Sequence, residues 1–128
     1  MRRFSLILLL AILSNSLATF SQSLNELNQS YQNALDSGDK NNAIFYLNKI
    51  AINHWDNGNI SEAITSFQEL YKLAESNGNR NAMRNCCSNL GMIYSDKGNY
   101  AKAEEYIQKG LQINRQMGDK AGQAAAYT

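Results

Sequence analysis

Few side chains in this sequence are equipped for covalent chemistry. His54 is the only histidine, and Cys86 and Cys87 are the only cysteines. A histidine acting as general base needs a carboxylate or a nucleophile within hydrogen-bond reach. The nearest acid is Asp56, and on a helix a neighbour two residues away points to another face. Adjacent cysteines on a helix diverge by about 100° and rarely bond to each other, and without a third ligand they hold no metal. One of the pair is expected to be buried as a small apolar side chain, and the other exposed and open to reaction between molecules. Glu104 and Glu105 lie on an amphipathic pattern and are expected to face water. No segment alternates apolar and polar residues as a strand does, so no glycine-rich loop follows a strand to cradle a phosphate. The residues point to no catalytic constellation, no metal and no cofactor.

Charge narrows the function further. Twelve Lys and Arg stand against eleven Asp and Glu, scattered along the chain. That is no polybasic footprint for nucleic acid. Two of the basic residues, Arg2 and Arg3, open the stretch "MRRFSLILLLAILSNSLATFSQS". A basic start, an apolar run from Phe4 to Leu13 and then small polar residues have the order of a secretory signal peptide. The run is too short to span a bilayer comfortably. Cleavage after Ala18 or after Ser21 fits the small residues there, and Ser21 is preferred, making 1–21 the leader. Export to the periplasm or cell envelope of a Gram-negative-type bacterium is the expectation. Membrane attachment would come only through a retained leader or through a segment beyond residue 128.

What must position any binding residue is a repeat. Gly58 and Gly98 stand 40 residues apart, as do Gly38, Gly78 and Gly118, each of these three followed by a polar and then a basic residue. Apolar positions keep the same register: Ala63 with Ala103, Phe67 with Ile107, Leu73 with Ile113. Each period holds two helical stripes. Leu47, Ile50, Ala51, His54 and Trp55 form one, matched by Cys87, Leu90, Gly91 and Tyr94. Ala63, Phe67, Leu70 and Leu73 form the other, matched by Ala103, Ile107, Gly110 and Ile113. Tight turns at Asp56–Asn59 and Asp96–Asn99 separate them. Small residues at Ala51, Gly91, Ala63 and Ala103 let facing helices approach closely, while Tyr94 and Tyr100 are expected to fill gaps around the turn. The reading is an all-α array: a partial repeat over 24–40, repeats over 41–80 and 81–120, and a truncated repeat over 121–128, together one domain from 22 to 128.

The stretch "NLGMIYSDKGNYAKAEEYIQKGLQI", residues 89 to 113, resembles a tetratricopeptide repeat. Leu90, Gly91, Tyr94, Gly98, Tyr100 and Ala103 stand at the family's places. Cys87 replaces its first aromatic, Gly110 its last small residue, and its closing Pro is absent. The earlier copy departs further, with Ala51, His54, Ile60 and Leu70 at the corresponding places. The period here is 40 residues, against a family unit of about 34, as in longer variants.

The resemblance implies a right-handed superhelix of antiparallel hairpins whose first helices line a concave groove. By position, that groove would show Phe45, Asn48, Lys49, Ile52 and Trp55 from one repeat, and Asn85, Ser88, Asn89, Met92 and Ser95 from the next. It implies a non-enzymatic scaffold for a protein or peptide partner. A solenoid normally caps its last apolar face with polar residues, and 121–128 supply no cap. The expectation is therefore a piece of a longer repeat protein. The alternative is the input region of a signal-transducing histidine kinase or transcription regulator with its output domain beyond residue 128. If Ala103 marks a close helix approach, Ala103→Leu should destabilise the fold by about 1–3 kcal/mol through overpacking, read from urea denaturation.

Overall fold

The computed structural model describes residues 23–126, with side chains up to Asp119. The leader expected over 1–21 lies outside the described residues, as do Tyr127 and Thr128. Five helices follow one another: α1 over 23–36, α2 Lys40–Asp56, α3 Ile60–Ser76, α4 Arg80–Asp96 and α5 Tyr100–Ala126. Helix α2 pairs with α3, α3 with α4, and α4 with α5. This is the expected all-α stack of contacting antiparallel helices. Among the described residues, no helix is long and apolar enough to cross a membrane.

A three-residue junction builds every turn. Gly38, Gly58, Gly78 and Gly98 take φ of 71°, 75°, 66° and 78°. In that left-handed region a side chain costs roughly 1–2 kcal/mol, and glycine pays no such penalty. At each junction the glycine N–H reaches back three residues, as Gly98 does to the Ser95 carbonyl at 2.9 Å. The next N–H reaches back five, as Asn99 does to the Tyr94 carbonyl at 2.9 Å. These paired bonds close a helix whose last carbonyls would otherwise be orphaned. The residue after the glycine then opens the next helix. The Asp39, Asn79 and Asn99 side chains accept hydrogen bonds from the Asn42, Ala82 and Lys102 backbone N–H groups at 3.1, 3.0 and 3.2 Å. Stop and start are thus adjacent, and the hairpin period of 40 divides into two steps of 20 residues.

The expected third turn of its kind, at Gly118, does not form. Gly118-Asp119-Lys120 has the right letters, but α5 runs through it as one 27-residue helix. Residues 121–126 continue α5. Four of those six residues are alanine, the best helix former. A single glycine inside a helix costs only about 1 kcal/mol.

The core runs through the stack. Phe67, Leu70, Leu90, Ile93, Cys86 and Cys87 are its largest fully buried side chains. Helix α1 joins it through Tyr31 and Ala34. The small positions do what their spacing promised: Ala51, Ala63 and Ala103 are buried, and a Cβ placed on Gly91 would stand 3.2 Å from Ile107 Cγ1. Gly110 lies under Cys87, 3.4 Å from its Cβ to where a methyl would sit. Three expectations change. Both cysteines are buried, so neither is open to reaction between molecules. Tyr100 is 72% exposed and fills no gap, because the first position of α5 points away from α4. Tyr94 stacks instead on Tyr106, with ring centres 5.7 Å apart. Ile107 touches the Gly91 notch with one edge and leaves half its surface in water.

Two predictions follow from the junctions and the core. Gly98→Ala should cost about 1–2 kcal/mol because it must hold a left-handed φ, whereas Gly118→Ala should stabilise the helix by about 0.5–1 kcal/mol; urea midpoints distinguish them. Burial pushes the Cys86 thiol from 9.0 up to about 12, with the neighbouring Cys87 adding to the shift. Burial, with the Glu69 hydrogen bond and charge behind it, likewise takes the Tyr31 hydroxyl from 10.0 to about 12. Below pH 9 both folded and unfolded chains keep these protons. Above it the unfolded chain releases protons that the folded chain retains, so stability should fall as pH rises from 9 toward 12. Urea midpoints at pH 8 and pH 10.5 would show the loss, and Cys86→Ala should lessen it.

Candidate functional site

The first helices of the two hairpins, α2 and α4, flank a cleft of about 320 Å³. Its floor is apolar: Ile44 and Leu70 are buried there, with Ala82 beside them. Its rim is a set of uncharged amides. Asn41 and Asn48 come from α2, Asn81 and Asn85 from α4, and Asn79 from the junction before α4. Two of them are committed within the fold. Asn79 caps α4, and Asn41 Oδ1 accepts a hydrogen bond from Asn77 Nδ2 at 3.0 Å. Among the described residues, the side chains of Asn48, Asn81 and Asn85 make no hydrogen bond within the chain. An amide offers both donors and acceptors, so these three can pair with a peptide backbone in either sense.

Phe45 stands at the wall, 52% exposed. It does not pack under α1. Tyr46 meets its ring edge-on at 5.2 Å, and Lys49 Nζ lies 4.8 Å from its centroid. Held between these two, the phenyl ring presents apolar surface to the cleft at little cost in freedom.

The ten residues expected along the groove divide. Phe45, Asn48 and Asn85 line the cleft. Lys49 stands beside them, on Phe45. Ile52 and Met92 are 38% and 49% exposed, farther along the same helices and outside this cleft. Asn89 is half-buried, and Ser95 is exposed near the end of α4. Ser88 lines a different cleft, with Ile107 and Leu111 of α5. Trp55, expected to face the groove, is turned to the core. It packs against the core, its ring centre 6.1 Å from that of Phe67 in an edge-on contact. A large indole gains more by covering apolar surface there than by standing in water.

Asn41, Asn79 and Asn81 were not among the expected groove residues. A signal for two of them was present: Asn81 precedes Asn85 by four and Asn41 precedes Asn48 by seven, spacings that share a helix face. Asn79 had none, because its place follows from the junction. On the other side of the stack the second helices tie to one another at a spacing of 38. Tyr31 Oη donates to Glu69 Oε1 at 3.0 Å, and Gln68 Nε2 to Tyr106 Oη at 3.3 Å. Lys109 Nζ lies 4.2 Å from the Tyr71 ring centroid. Those side chains are engaged in holding the stack.

His54 is partly buried, and its Nδ1, like Asn53 Oδ1 beside it, is buried without a hydrogen-bond partner. It has no carboxylate partner with which to act as a base. No group of three or more His, Cys, Asp or Glu side chains that could hold a metal occurs among the described residues.

With this geometry in place, comparison with known families finds that the family model described as tetratricopeptide repeat matches residues 85–117, within the α4–α5 hairpin. No curated protein matches the chain. The helical stack and the match agree on a tetratricopeptide-like repeat region, an interaction module of a generally non-enzymatic kind.

Proposed function

We propose that the chain is an exported scaffold of the bacterial cell envelope, and that the α2–α4 cleft holds an extended, uncharged stretch of a partner protein. The observation that carries this reading is the row of uncommitted amides over an apolar floor, Asn48, Asn81 and Asn85 above Ile44 and Leu70. Amides can bond the unpaired N–H and C=O groups of an extended backbone. The floor and Phe45 suit one apolar side chain as an anchor. No charged side chain lines the cleft, so recognition should not depend on ionic contacts. Export rests on the order of residues 1–21, basic, then apolar, then small and polar.

The test is selection of a displayed random nonapeptide library on the chain. Enriched peptides should share one apolar residue flanked by uncharged ones. Asn48→Ala and Asn85→Ala should each weaken binding about 5–10-fold, the worth of one hydrogen bond of roughly 1–1.5 kcal/mol. Affinity should change little as salt is raised, because screening acts on charges. Acidic or basic consensus peptides, or affinity untouched by both variants, would rule out this cleft.

A further inference from the structure

The second helices α3 and α5 flank a cleft of about 310 Å³, on the side of the stack away from the amide cleft. Its floor is Leu90 of α4, which has no exposed surface. Gln68, Tyr71 and Lys72 border it from α3, Tyr106 and Lys109 from α5. Two cations line it and no acidic side chain does. The fold does not relieve that imbalance. Among the described residues neither Lys72 nor Lys109 makes an ion pair; the one formed joins Lys102 to Glu105. Glu69, three residues before Lys72, accepts its hydrogen bond from Tyr31.

Holding the stack does not exhaust these groups. Gln68 donates to the Tyr106 oxygen at 3.3 Å, which leaves the Tyr106 phenol proton to donate elsewhere. Lys109 Nζ rests 4.2 Å from the Tyr71 ring centroid, a contact that spends none of its N–H groups on an acceptor oxygen. Among the described residues, Tyr71 Oη and Lys72 Nζ have no hydrogen-bond partner. What is unspent is therefore two ammonium groups that can only donate and two phenols that can donate. Tyr106 is also fixed in place, since its ring stacks on Tyr94. The Lys109 charge is felt beneath the cleft as well: burial raises the Cys87 thiol, and Lys109 works in the opposite direction.

We infer that this cleft binds a small organic carboxylate. Its oxygens accept from the lysines and phenols, and its apolar stem lies on Leu90 and the tyrosine rings. The volume is at the low end for small-molecule pockets, about 300 Å³. Phosphate suits the cleft less well. Guanidinium forks and helix N-termini favour it; here no arginine lines the cleft, and every lining residue is interior to a helix, with its backbone N–H already paired. This site is separate from the α2–α4 cleft and does not rest on what binds there.

Titration of the full chain with 3-phenylpropanoate, followed by backbone amide chemical shifts, reads the result. Saturable shifts are expected around Lys72, Leu90 and Lys109, with a dissociation constant of roughly 1 mM for so small a ligand. 3-Phenylpropanamide has the same shape without the charge and should bind at least ~10-fold more weakly. Raising the salt should weaken the acid and leave the amide unchanged. Lys72→Gln with Lys109→Gln should weaken the acid ~10-fold or more, with the helical circular dichroism unchanged. Lys40→Gln, the same loss of charge elsewhere, should leave binding as it was. The comparison of acid with amide uses the unaltered chain, so it holds however the variants fold. Acid and amide bound alike, acid bound as tightly by the double variant, or no saturation by ~20 mM overturns the inference. Inorganic phosphate held more tightly than the acid overturns the assignment to a carboxylate.

Discussion

Left-handed glycine followed at once by an Asp or Asn, whose side chain caps the next helix at three of the four junctions, is the constraint on which this architecture depends. The glycine conformation lets the chain reverse within three residues, because the two back-reaching N–H bonds satisfy the helix end locally. The following residue turns the same reversal into a helix start. Since each junction occupies so few residues, α2, α3 and α4 are all 17 residues long. Equal helices bring equivalent residues to equivalent heights, and the ties at a spacing of 38 between second helices can then recur along the stack.

The junction is necessary and still not sufficient. Gly118-Asp119 repeats its letters within a continuous helix. The local cost of glycine in either state is about the same size as one capping interaction, roughly 1 kcal/mol. The decision passes to what the next helix would bury. After Gly78 the chain offers Met83, Cys86, Leu90 and Ile93, and α4 packs on α3. After Gly118 the chain continues α5 without a reversal. Turn chemistry proposes a reversal, and packing accepts or refuses it.

This explains how much of the molecule was legible in the sequence. Repeat register, the positions of four turns and the small residues at helix approaches were readable, because each depends on residues near in sequence or exactly one period apart. Coverage was not, because it depends on which neighbour is present. Ile107 and Phe67 occupy equivalent places, yet one is half exposed and the other has no exposed surface. Cys86 was expected to differ from Cys87 in burial, but α4 sits between α3 and α5, so both of its faces are covered. Trp55 could be assigned to a helix face but not to a partner. Of the expected groove residues, Phe45, Asn48 and Asn85 line the α2–α4 cleft. Asn41, Asn79 and Asn81 line it as well; of these only Asn79 had no signal in the helical spacing, because its place follows from the junction.

The distribution of polar groups separates two kinds of work. On the side where second helices meet, polar side chains pair with defined partners: Tyr31 with Glu69 and Gln68 with Tyr106. Such pairs fix the stack, and a polar group spent there is unavailable to a ligand. In the cleft between first helices the polar groups are amides with bonds to spare. Stability would be better served by apolar or charged residues on a solvent-facing helix, since asparagine is a poor helix former. Asn48, Asn81 and Asn85 all sit inside helices, where that preference works against them. A feature that weakens its own helix and pairs with nothing in the chain is best accounted for by what it can bond outside it.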